Sequence, residues 1–215
     1  MKAEIIKDLY QQYGNRKYLL SHIIFYGTIF FIVILTKNIY LFWSTSLIVL
    51  PICNLFFVQK TMNSDYMSNF WKVQDTMPIS RSRIVSAKYI ELIGFCIFNT
   101  LFFYLTSILN KNMTANQAMV LSIISLIISI LFAGFTLPFL FHTLGNNSSI
   151  FITFIFLQFL DIVALSILYA SNILQSFSVN ENQKIYINLS LLLVVIILFI
   201  SYYISKKIFS KRELD

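Results

Sequence analysis

Long apolar runs, each broken from the next by a short polar stretch, make up most of the chain. A hydrocarbon core about 30 Å thick needs roughly 20 mainly apolar residues, since an α-helix rises about 1.5 Å per residue. Six segments meet that length, at 18–36, 39–58, 87–109, 117–141, 150–170 and 185–205. The pattern predicts an all-α membrane protein in which residues 1–215 form one domain of six transmembrane helices. The remainders, chiefly 1–17, 59–86 and 206–215, are too short to close cores of their own.

Two of those remainders carry helical patterns. Ile5, Ile6, Leu9, Tyr10 and Tyr13 fall on one helical face, with Glu4, Lys7, Asp8 and Gln11 on the other, which predicts an N-terminal interfacial elbow helix over 1–17. In the cytoplasmic coupling segment 64–86, Met67, Phe70, Trp71 and Gln74 recur at helical spacing, so 65–76 reads as an amphipathic helix with an aromatic anchor. Pro78 interrupts it, and Ser80 stands where it can cap a new helix that starts at Arg81 and runs through Ile84, Val85 and Tyr89 into the third span. A helix, a sharp break and a second helix continuing into lipid make a lever. Within the fourth span, Ser122, Ser125, Ser129, Ala133 and Gly134 are spaced for close helix packing, and Pro138 should kink or end that span before the loop at 142–149.

Composition sharpens this picture. With 58% hydrophobic against 12% charged residues, too little polar surface remains for an ordinary soluble domain. Thirteen of the sixteen lysines and arginines flank alternate loops: Lys2, Lys7, Arg16 and Lys17, then Lys60, Lys72, Arg81, Arg83 and Lys88, then Lys206, Lys207, Lys211 and Arg212. Cations resist translocation, so both termini are expected in the cytoplasm of a plasma membrane. The net charge of +7 is then an orientation signal with some attraction to lipid headgroups, and no nucleic-acid partner is needed to explain it. Cys53 and Cys96 lie inside predicted spans without the spacing of a metal or redox motif and read as small core residues. Abundant Ile, Phe, Asn, Tyr and Lys with only five glycines point to an AT-rich bacterial genome.

The stretch 75–90, DTMPISRSRIVSAKYI, resembles the "LPISR..IV..KY" signature of the six-span ABC-2 transporter permeases. Met77 stands where the usual Leu would be, while Pro78, Ile79, Ser80, Arg81, Ile84, Val85, Lys88 and Tyr89 match. Length, span count and loop position extend the resemblance over essentially the whole chain. It looks like the permeases of bacterial exporters for amphipathic peptides, such as the phenol-soluble modulin exporters of staphylococci. The resemblance implies a permease that works beside a second copy or a paralogous permease and an ATP-binding cassette ATPase subunit, with ATP and Mg held by that partner. Phe70, Trp71, Met77, Pro78, Ser80, Arg81 and Arg83 become the expected ATPase-coupling residues.

Asp161, with Gln158 one turn before it, lies near the middle of the fifth span. A central carboxylate costs about 2.5–3.5 kcal/mol on insertion scales, so it faces protein or water. It either lines a substrate pathway or accepts hydrogen bonds from neighbouring hydroxyls. Glu91, nearer the membrane surface, is expected to reach the interface or pair with Lys88. No GxxxxGK, HExxH or GxSxG pattern occurs, and His22 and His142 are isolated, so the sequence predicts no catalytic residues, no metal site, no cofactor of its own and no enzyme. Two other readings remain: an ion- or proton-coupled carrier using Asp161, and a noncatalytic peptide-immunity subunit.

Overall fold

The computed structural model describes residues 2–35, 45–70, 73, 80–110, 114–143 and 181–211, all of them helical or in the short turns at helix ends. α1 is Lys2–Tyr13 and α2 is Arg16–Leu35. A Cβ on Gly14 would stand 2.5 Å from the Tyr10 carbonyl oxygen, so the tight corner between the two helices requires glycine. A π-helical stretch, Thr45–Val49, leads into α3, Leu50–Met67. Pro51 sits in the first turn of α3, directly after the π-helical stretch.

α3 ends at Ser68 and Asn69, where Asn69 takes φ 54. That left-handed conformation suits asparagine better than most residues and stops the helix. Asp65 therefore belongs to the last turn of α3, and the amphipathic helix expected over 65–76 does not begin there. α4, Arg81–Ile108, runs unbroken for 28 residues, as the lever reading requires. α5, Ala115–His142, opens on a capping box in which the Thr114 hydroxyl accepts from the Gln117 N–H and the Gln117 side chain accepts from the Thr114 N–H. Pro138 does not end α5, which continues for another turn. α6 is Glu181–Lys211 and outlasts the predicted sixth span at both ends.

Among the described residues, four helices are long and apolar enough to cross a membrane: Arg16–Leu35, Arg81–Ile108, Ala115–His142 and Leu189–Lys211. The beginning of the predicted second span and all of the fifth, with Gln158 and Asp161, lie outside the described residues. α5 is central. It packs most extensively on α6, then on α4 and α3. At Gly134 an added Cβ would come within 2.9 Å of the Ile197 methyl of α6, so the small residue sets how closely these two helices approach.

The core divides into two clusters along the bundle. One joins Val58 and Met62 of α3, Ile84, Val85 and Leu92 of α4, Leu137 and Phe141 of α5 and Phe209 of α6. The other joins Ile29 and Val33 of α2, Leu50 of α3, Phe103 of α4 and Leu121 of α5. The ends of α3, α5 and α6 thus meet the start of α4, and α1 lies at this same end. We call it the charged end, and its counterpart the apolar end.

Candidate coupling site

α1 is two-faced as the sequence suggests, but its polar face is turned onto the protein. Glu4, Asp8 and Gln12, spaced i, i+4, i+8, are buried, whereas Ile6, Leu9 and Tyr10 are exposed. The buried stripe meets the last turns of α3 and the first turns of α4. The Lys88 ammonium, only 1% exposed, donates to Asp8 Oδ2 at 2.6 Å and to Thr61 Oγ1 at 3.0 Å, with Asp65 Oδ2 at 3.5 Å. Lys7 donates to both Asp65 oxygens at 2.8 and 2.7 Å and stands 3.3 Å from Glu4 and from Asp8. Gln11 adds a third hydrogen bond to Asp65 at 3.2 Å. Gln12 reaches the Phe57 carbonyl at 3.2 Å and Glu91 Oε1 at 3.3 Å.

Physical necessity explains the arrangement. An ammonium withdrawn from water is tolerated only where carboxylates and hydroxyls replace its hydration, and Asp8, Asp65 and Thr61 do so for Lys88. Lys7 is subject to opposing effects. Burial alone would lower its pKa, yet its hydrogen bond to Asp65 and the charges of Asp65, Asp8 and Glu4 together hold it above the ordinary 10.5. The stabilisation from Lys7 is therefore fully present below pH 10.5 and is lost only as pH rises through its raised value.

The residues expected to couple to an ATPase divide among several environments. Phe70 is half-buried, with the Lys7 ammonium 4.1 Å from its ring centre. Trp71, Met77 and Pro78 lie outside the described residues. Ser80 does precede α4 in an extended conformation, but its side chain makes no capping bond, and the turn closes instead through the Arg83 N–H to the Ser80 carbonyl at 2.8 Å. Arg81 turns toward α6, donating to the Phe209 carbonyl at 3.4 Å with its guanidinium 5.9 Å from the Phe209 ring. Arg83 is exposed. The structure thus brings Arg81 to α6 and Phe70 to α1.

Beyond its first turns, α4 is tied along its length. The Tyr89 hydroxyl meets Ser201 at 2.5 Å and Ser205 at 2.8 Å on α6, and Ser86 meets Tyr202 at 2.8 Å. Deeper in the bundle, Asn99 donates to Asn54 of α3 and accepts from the Tyr26 hydroxyl of α2 at 2.7 Å.

Lys88 and Glu91 call for correction. Lys88 is buried in an ion-pair cluster with α1 and α3, and Glu91 does not reach the surface but is buried, bonded to Gln12 and close enough to feel the Lys88 charge. A signal for Lys88 was available, because it falls within the stripe of Ile84, Val85, Leu92 and Phe95 that α4 buries. His22 lies on α2 near the charged end, its Nδ1 2.8 Å from the Tyr18 carbonyl and its ring between Tyr13 and Phe57. Among the described residues, no three His, Cys, Asp or Glu side chains are placed to hold a metal ion.

Residues 5–210 match a family model described as an ABC-2 family transporter protein. Neither the comparison with curated proteins nor that with solved structures gives a match.

Proposed function

As the chain belongs to the ABC-2 transporter family, we propose that it is the permease subunit of an exporter that moves amphipathic peptides out of a bacterial cell on ATP hydrolysed by a separate subunit. The family assignment makes it a multi-pass membrane protein and implies an ABC ATPase partner. Direction, cargo and pairing with a second permease rest on the resemblance of residues 75–90 to peptide exporters. Cytoplasmic termini are supported by the cation bias and by the placement of α1 and the end of α6 at the same end of the bundle, each against the first turns of α4.

The observation that carries the reading is the continuity of α4. From Ser80 onward no break separates the cytoplasmic turn from the apolar span, so a force applied at the turn is delivered to a rigid helix. Phe70, Trp71 and Met77 offer apolar anchors and Arg81 and Arg83 offer cations to a groove on the ATPase subunit. Gln158 and Asp161 are the proposed pathway residues.

The test combines Arg81→Ala with Trp71→Ala. The variant permease is expected to reach the membrane while losing co-purification with its ATPase subunit and any stimulation of ATP hydrolysis. Unchanged coupling removes the reading. A flux assay in sealed inverted vesicles then addresses cargo, with ATP-dependent uptake of an amphipathic peptide expected, and reduced uptake in Asp161→Asn.

A further inference from the structure

We propose that Asp8, Asp65 and Lys88 are positioning residues of the coupling machinery: they join α1 to the lever, so that a stroke reaching α4 also moves the N-terminal helix. The proposal rests on the permease reading above and extends it to Asp8 and Asp65, which lie outside the motif, and to Lys88, a motif residue not among those expected to dock on the ATPase subunit.

Two consecutive residues of α1 hold the two ends of the coupling segment. Lys7 stands over the Phe70 ring where the segment leaves α3, and Asp8 binds Lys88 two turns into α4, where the segment has returned to the bundle. Asp65, in the last turn of α3, is bound by Lys7 and Gln11 from α1 and lies beside Lys88 of α4. Any displacement of one end relative to the other must stretch these bonds or carry α1 with it. Stretching is the costlier course. The three groups are at most 1% exposed, so water does not replace a partner that moves away.

The opposite face of α1 leaves it free to follow. Ile6, Leu9 and Tyr10 are exposed, and α1 joins α2 through the glycine corner at Gly14. At a membrane surface such an apolar face slides among headgroups without breaking specific contacts. The clasp is therefore stiff toward the lever and compliant toward lipid.

The test uses the permease assembled with its ATPase subunit in lipid vesicles, with Cys53 and Cys96 replaced by alanine. Spin labels at Tyr10 and Phe135 report α1 against α5, and labels at Ile90 and Phe135 report the lever; all three sites are exposed. Trapping ATP on the partner is expected to change both distances. In Asp8→Asn, which keeps the shape of the side chain and leaves Lys88 its Asp65 partner, the lever distance should still change while the α1 change is lost. ATP-driven flux should fall about tenfold in that variant, with assembly intact and recovery in Asp8→Glu. A stationary α1 beside a moving lever in the unsubstituted complex overturns the clasp, as does an equal α1 shift with and without Asp8. A stationary lever instead counts against the permease reading itself.

Discussion

The two ends of the bundle are held by different physics. At the apolar end Val33, Phe103 and Leu121 are fully buried against one another, with the Asn110 side chain closing onto the Val33 carbonyl at 2.7 Å. The charged end has an apolar cluster of its own around Val85, Leu137 and Phe141, but there Asp8, Asp65 and Lys88 are buried just as fully beside it. In lipid, burying one apolar side chain against another gains little beyond van der Waals contact, because the tails are as apolar as the partner. Such packing tolerates shape changes and gradual sliding. Ion pairs in a dry site behave otherwise, since each partner is needed to compensate the others and only a few geometries satisfy them all. The comparison teaches that this fold puts its directional bonds where helices α1, α3 and α4 meet, and its forgiving contacts at the far end.

Removing the charge at the centre of the clasp should have the largest effect. Lys88→Met leaves Asp8 and Asp65 short of a cation and is expected to cost about 3–5 kcal/mol. Thermal unfolding in lipid nanodiscs measures it, and a loss no greater than that of an apolar truncation would erase the contrast between the ends. Phe103→Ala is that truncation. The missing transfer gain in lipid leaves mainly the cavity, so about 2 kcal/mol is expected by the same measurement, below what a soluble core would show. The smallest effects sharpen the comparison at helix starts. Thr114→Ala removes the hydroxyl that accepts from the Gln117 N–H, leaving the Thr114 N–H bonded to the Gln117 side chain, and should cost about 1 kcal/mol. Ser80→Ala removes a hydroxyl that makes no cap bond and should stay within about 0.5 kcal/mol.

How much of this was legible in the sequence varied with the physical signal. α2, α4, α5 and α6 announced themselves because a membrane demands length and apolarity together, and α4 began at Arg81 as the break at Pro78 implied. Helix ends were less legible. α3 runs on through Thr61 and Asp65 because these residues pair within the protein, which hydropathy alone does not register. Asn69, whose left-handed turn ends α3, was not recognised as a stop. The polar face with Glu4, Lys7, Asp8 and Gln11 is visible in the sequence, though without Gln12, but an amphipathic helix beside a membrane invites the assumption that its polar side faces water. Only the placement of Lys88 within a buried stripe hinted that those carboxylates have partners, and the cation bias of the loops offered a sufficient account of Lys88 without them. The reading of Arg81 as a docking cation did not anticipate its contact with Phe209, since the approach of α6 to the start of α4 is a tertiary fact.

The central claim is that the turn before α4 receives work from another subunit. The most direct measurement places a photo-crosslinking residue at Ser80, exposed at the charged end, and at Met119, exposed at the apolar end, in the assembled complex. The account predicts capture of the ATPase subunit from position 80 and none from position 119. Capture from 119, or from neither while ATP-driven transport proceeds, would contradict it.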